Sequence, residues 1–239
     1  MANTNYAKLR EIEMFHKKKM RYERIMQKRR RRTFTIVALT LIIFSFFIYT
    51  KISSSRYSTF LMNNSKYGKV KNSLLAENID NLIRNLNIEE VNYKWNEDII
   101  ENNVPNKIVV HHAVTTDVEP KEIHSWHIEK GYGGIGYHYY IKKDGTIYRG
   151  REEKMQGAHA IGENSRSIGI CLEGSYDKEN IEQAQMTSLV NLASSLVVKY
   201  NMENIIGHRD CNDTLCPGEN INIDKIKDKV VNVLTNSIE

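Results

Sequence analysis

Lys107-Ile108-Val109-Val110-His111-His112 decides how the rest of this 239-residue chain is read. The run is short and β-branched, and Pro105 stands just before it, where a proline breaks no ladder, so it reads as a strand. Its last two residues are both histidines. Alternation along a strand sends neighbouring side chains to opposite faces, so the doublet can present only one imidazole to any one site. Spacing alone does not choose between His111 and His112.

Outward from that strand, strands alternate with helices. A helix is predicted over 118–130, with Asp117 as N-cap, Pro120 tolerated in the first turn and Gly131 as its stop. The glycine-rich loop Gly131-Tyr132-Gly133-Gly134-Ile135-Gly136 feeds a hairpin in which 137–142 and 146–149 flank Lys143-Asp144-Gly145, and Asp-Gly is a strong hairpin signal. Residues 167–173 read as a buried strand. Met186, Leu189, Val190, Ala193, Leu196, Val197 and Tyr200 share one face of a long amphipathic helix. Ile205-Ile206 form a last short strand, and 224–234 close the chain as a helix burying Ile226, Val230 and Val233. Strands separated by helices that cover them predict an α/β domain over 105–239, built on a mixed central sheet.

The last strand runs into Gly207-His208-Arg209-Asp210 and on to Thr214-Leu215-Cys216-Pro217-Gly218. An imidazole and a thiolate are both zinc ligands, yet a structural zinc site would show a second Cys or His close by in a paired spacing. Here the pair is incomplete, and the best source of a third ligand is the distant doublet His111-His112. Both segments follow strand ends, where open α/β sheets build ligand sites. Two His and one Cys would leave a fourth tetrahedral position for water, which marks a catalytic zinc rather than a structural one.

The N-terminal part is of a different kind. Residues 1–32 hold twelve Lys or Arg against three Glu, a local net charge of +9; since the whole chain carries +5, residues 33–239 carry −4. The alkaline pI therefore belongs to the tail, and the remainder has no cationic surface suited to nucleic acid. Residues 33–50 lie uncharged between Arg32 and Lys51, which gives about the 18 residues needed to cross hydrocarbon as a helix. A single transmembrane helix is expected there. The rival is a secretory signal cut near Ser53-Ser54-Ser55, against which stands a basic segment far longer than a usual signal n-region. Arginines at 29–32 abut the span and place residues 1–32 in the cytoplasm and the remainder outside the membrane. Residues 51–104 read as a stem, in which Leu74, Leu75, Ile79, Leu82, Ile83 and Leu86 fall at helical spacing, for packing on the domain itself or on a second copy. Cys171, Cys211 and Cys216 are too few for a disulfide framework.

Taken in order, Val109-Val110-His111-His112-Ala113, Gly136-Tyr137-His138-Tyr139, Lys143-Asp144-Gly145-Thr146, Gly157-Ala158-His159-Ala160, Asn164, Ser167-Ile168-Gly169-Ile170 and the two segments around His208 and Cys216 carry a family resemblance. They resemble the zinc-dependent N-acetylmuramoyl-L-alanine amidases of type 2, the family that includes phage amidase lysozymes and the peptidoglycan recognition proteins. The resemblance covers about residues 105–235 and none of residues 1–90. It implies His111, His208 and Cys216 as zinc ligands and Tyr137 as a catalytic tyrosine. Thr214 falls where some members have Lys and others Thr, so a hydrogen-bond donor stands where a positive charge could have stood. His159 and Asn164 would line the groove for glycan or stem peptide. Trp126 and His127 read as core or helix-face residues, His138 as pointing away from the metal, Cys171 as a buried apolar side chain and Cys211, which has no family counterpart, as a free thiol, with a Cys171–Cys211 disulfide as the alternative.

The reaction so implied is hydrolysis of the amide joining N-acetylmuramic acid to L-alanine in peptidoglycan. Zinc would polarise the carbonyl and lower the pKa of water, and Tyr137 with Thr214 would hydrogen-bond the oxyanion. Two alternatives share the fold: a muropeptide-binding sensor without catalysis, and a zinc hydrolase cutting another wall amide. Sensors of this kind typically lose the Cys, so retention of Tyr137 with all three ligands favours the enzyme.

Overall fold

The computed structural model describes residues 86–96 and 99–236, together with residues 20, 26, 28, 39–45, 81, 82 and 84. The chain divides into two compact units, 1–52 and 53–239. In the first, residues 39–45 are helical, with Leu41, Ile42, Ile43 and Phe44 all exposed. No helix among the described residues is long and apolar enough to cross a membrane. The rest of the span expected over 33–50, most of the basic tail and most of the stem lie outside the described residues.

The second unit is built on strands β1 (Ile88–Glu89), β2 (Lys107–His112), β3 (Tyr139–Ile141), β4 (Ile147–Arg149), β5 (Ser167–Leu172) and β6 (Asn204–Gly207), with helices α1 (Pro120–Glu129), α2 (Gln183–Tyr200) and α3 (Ile223–Asn236). The sheet order is β1-β4-β3-β5-β2-β6. The β3–β4 hairpin is antiparallel and every other pairing is parallel, so the sheet is mixed, as expected. Lys142 and Thr146 close the hairpin through a 2.9 Å backbone bond, with Gly145 at φ +91° in the turn between them.

β2 lies between β5 and β6, and all of it beyond Lys107 is buried because helices cover both faces. On one face Ile108 and Val110 join Ile168, Ile170 and Leu172 of β5, and α2 and α3 close over them with Leu189, Ala193, Leu196, Ile226, Val230 and Leu234. Leu82, Leu86 and Ile88 of the expected stem pack against this same core. Each fully buried Leu, Ile or Val here contributes about 1.5–3 kcal/mol, so most of the cohesion belongs to this face. The opposite face holds a smaller cluster of Val118, Ile123, Ile135, Tyr140 and Cys171 beneath α1.

Two features depart from expectation. The N-cap of α1 is Glu119, not Asp117. Asp117 sits at φ +56° with its N–H donated to the Glu173 carboxylate at 2.7 Å, which turns it away from the helix start. Glu122 instead reaches back to accept the Glu119 N–H at 2.9 Å, the reciprocal half of a capping box, and Pro120 occupies a position that needs no donor. The second departure is β1, only two residues long, which adds a parallel edge to β4 and leads into a strap across the α1 side. Tyr93 stacks on His124 at 4.7 Å, Asn96 N–H reaches Gly133 O at 3.0 Å, and Val104 N–H reaches Ser165 O at 3.0 Å. Residues 88–96 and 99–104 are thus integral to the folded unit.

Candidate active site

β2 and β6 run parallel side by side with Val110 opposite Gly207, so the chain leaves the two strands with His111 next to His208. Their ring centroids are 4.5 Å apart. The loop after β6 then folds back because its own polar residues tie it down. Asp210 accepts the Gly207 N–H at 2.7 Å, Arg209 N–H reaches Cys216 O at 2.7 Å, and the Arg209 guanidinium donates to Gly218 O and Ile221 O at 2.7 and 2.8 Å. This returns Cys216 to the end of β2, with Sγ 3.7 Å from His111 Nδ1. One donor atom from each of His111, His208 and Cys216 lies within 4.8 Å of the others. Alternation also separates the doublet, since His112 faces the opposite side and its Nδ1 accepts the Tyr176 N–H at 3.2 Å.

A cavity of about 730 Å³ opens beside this cluster, bordered by Tyr137, His127, His159, His208, Asn212 and Thr214, with Ile99 and Ile100 of the strap on its wall. The Tyr137 ring lies 5.1 Å from that of His111, and burial holds its hydroxyl well above the usual tyrosine range, so it stays a donor. Thr214 Oγ1 accepts the Cys216 N–H at 3.2 Å, which leaves the hydroxyl proton for another partner. Burial also pushes His111 well below the ordinary imidazole value, with His208 adding to the shift, and lowers His208 itself. Neutral rings keep lone pairs for a cation. The Cys216 thiol is pushed up to about 11 by burial, opposed by the N–H of His112 at 3.4 Å, so a bound cation is what would displace its proton.

Residues 101–219 match the N-acetylmuramoyl-L-alanine amidase family. The endolysin of Enterobacteria phage T3 is 41% identical over 118 residues, which cover 46% of this chain and 78% of that protein. The chain belongs to this amidase family. The similarity extends to animals, for peptidoglycan-recognition protein SC2 of Drosophila melanogaster is 34% identical over 125 residues, or 47% of this chain and 68% of that protein. Among solved structures, the endolysin N-acetylmuramoyl-L-alanine amidase LysCS from Clostridium intestinale superposes with a TM-score of 0.59 at 46% identity, covering 60% of this chain and 94% of that one.

In this amidase domain the donor set suits zinc. Two imidazoles and one thiolate are zinc's preferred ligands, and three protein ligands beside an open cavity leave a position for substrate or water. The nitrogens not aimed at the cluster have partners of their own: His208 Nε2 is 3.0 Å from Asn212 Oδ1, and His111 Nε2 is 3.0 Å from His159 Nδ1. Such outer partners orient metal-binding imidazoles. His159 and Asn164, expected on the groove, do border the cavity; Asn164 Oδ1 accepts the N–H groups of His159 and Ala160 at 2.8 and 3.0 Å.

His138 lies on the strand side behind them, accepting the Gly169 N–H and donating to Met155 O, both at 3.0 Å. Cys171 is buried, and the half-buried Cys211 thiol donates to His208 O at 3.3 Å. His127 and Asn212 are among the wall residues that sequence reasoning did not place at the cavity. His127 was expected in the core or on the helix face; it is buried, yet it also borders the cavity. Its Nδ1 accepts the Gly136 N–H at 2.8 Å, so the proton sits on Nε2, and burial lowers its pKa to about 4. Asn212 carried no signal, because its task is defined only by where the loop brings His208.

Proposed function

We propose that this chain is a membrane-anchored zinc amidase that hydrolyses the bond between N-acetylmuramic acid and L-alanine in peptidoglycan on the outer side of the membrane. The observation that carries the reading is the convergence of His111, His208 and Cys216 donor atoms within 4.8 Å at a cavity that also presents Tyr137 and Thr214. Zinc held by those three side chains would polarise the amide carbonyl and make hydroxide available near neutral pH. The protein's own groups do the rest. Tyr137, kept protonated by burial, donates to the oxyanion that develops as the carbonyl becomes tetrahedral. Thr214 supplies a second donor, since its oxygen already accepts from Cys216 N–H and its proton is free. The departing amine of L-alanine takes its proton from water or from Tyr137.

The family match supports an amidase, and the phage endolysin relative supports the cell wall as its target. For the anchor, support comes from the uncharged stretch 33–50 behind twelve cationic residues, with exposed apolar side chains on the helix at 39–45. The similarity to a peptidoglycan-recognition protein raises a second reading, a sensor that holds muropeptides without cutting them. The test is digestion of purified peptidoglycan by the full chain in detergent, with and without Cys216→Ser, counting new amino groups and new reducing ends. New amino groups traced to L-alanine, without reducing ends and only with Cys216 intact, are expected. Tight muropeptide binding without amino-group release would establish the sensor, and new termini at other residues would establish a different wall amide as substrate.

A further inference from the structure

The chemistry of His111 depends on which of its nitrogens carries the proton, and the surrounding hydrogen bonds determine that. Ser167 Oγ donates to Glu163 O at 2.7 Å, so toward His159 that oxygen can only accept. His159 Nε2, 3.4 Å away, is therefore the protonated nitrogen of its ring, and His159 Nδ1 carries the lone pair. That lone pair faces His111 Nε2 at 3.0 Å, with the two rings nearly perpendicular at 85° and centroids 5.0 Å apart. Two lone pairs cannot meet at that distance, so His111 Nε2 is the donor. His111 Nδ1 is left bare, 3.7 Å from Cys216 Sγ.

We infer that His159 is a positioning residue: it fixes His111 as the Nε2-protonated tautomer and turns Nδ1 toward Cys216, where a metal would be held. This rests on the zinc reading above for its consequence, but the tautomer itself belongs to the metal-free chain. The fold builds a place for the ring. A Cβ on Gly157 or Gly169 would come within 2.5 or 2.6 Å of it, so both positions admit the imidazole only as glycine. Asn164 holds the loop behind it, and His159 itself is 8% exposed. Both ring nitrogens face inward partners. That commitment gives His159 a role directed at His111 rather than at a ligand in the cavity.

The test uses the full chain in three forms: wild type, His159→Phe and His159→Gln. Nitrogen-15 NMR of the histidine rings in the zinc-free wild type should show His111 protonated at Nε2. Zinc affinity, measured by competition with a chromophoric chelator, should fall about 10–100-fold in His159→Phe, which fills the space without accepting a proton. In His159→Gln, whose carbonyl oxygen can still accept, it should recover to within about threefold of wild type. A His111 proton on Nδ1, a Phe variant that holds zinc like wild type, or equal losses in both variants would overturn the inference. A wild type with the expected tautomer that binds no zinc would contradict the zinc reading alone.

Discussion

At Gly169 a single missing methyl group sets the geometry of the centre. Its ideal Cβ would stand 2.6 Å from the His159 ring, so Gly169→Ala is expected to push that ring off His111 and weaken zinc binding while the sheet persists. Chelator competition together with the thermal midpoint of the metal-free chain checks this: affinity should fall more than stability. Tyr137→Phe should separate binding from chemistry. In its proposed role Tyr137 is one oxyanion donor and none of the proposed metal-binding atoms is its own, so kcat should drop about 10²–10³-fold with zinc content unchanged. At this scale the sequence was legible wherever a residue's chemistry is unusual for its setting, as with a His doublet ending a strand or a Cys in a turn-rich loop. His127 and Asn212 were not legible, because an ordinary helix position and an ordinary loop amide acquire their tasks only from where the fold sets them beside the cavity.

Among the elements, the loop from β2 into α1 is tied to the β3–β4 hairpin by a buried carboxylate. Glu173, 3% exposed just after β5, accepts the Asp117 N–H at 2.7 Å and the Lys143 N–H at 2.9 Å, so it pins that loop and the hairpin together. Glu173→Ala would leave two backbone donors without partners and should cost about 1–3 kcal/mol or more, read as a lower urea midpoint at unchanged slope. The same contact explains why the helix start was misplaced: Asp117 has a capping side chain, but its backbone is bound elsewhere. β2, β5 and β6 were readable from apolar runs, the short β3–β4 hairpin from Asp144-Gly145, and the two long helices from periodicity, since each helix buries a continuous face. β1 was not, because a two-residue edge strand owes its existence to pairing with β4, about sixty residues later in the chain, and its own residues carry no pattern.

Across the whole molecule, one face of the sheet supplies cohesion and the other supplies chemistry. Histidines concentrate on the second face, and burial lowers His127 and His138 to about 4 from the ordinary 6.5. The unfolded chain takes up protons first as pH falls, so these two contribute stability above 6.5 that is lost progressively between 6.5 and about 4. Urea unfolding of the metal-free chain should show that decline, and a flat profile between pH 7 and 4.5 would show that the rings are not buried neutral.

If the His111–His208–Cys216 cluster drives amide hydrolysis, activity must follow zinc, and a zinc titration of activity reads this. Metal-free chain would receive increasing zinc while new L-alanine amino groups are counted from purified peptidoglycan. Release should rise in proportion to zinc and break at about one equivalent per chain, the stoichiometry of a single three-ligand centre, and Cys216→Ser should stay at background. Release that is complete without zinc, or that survives the loss of Cys216, would contradict the account.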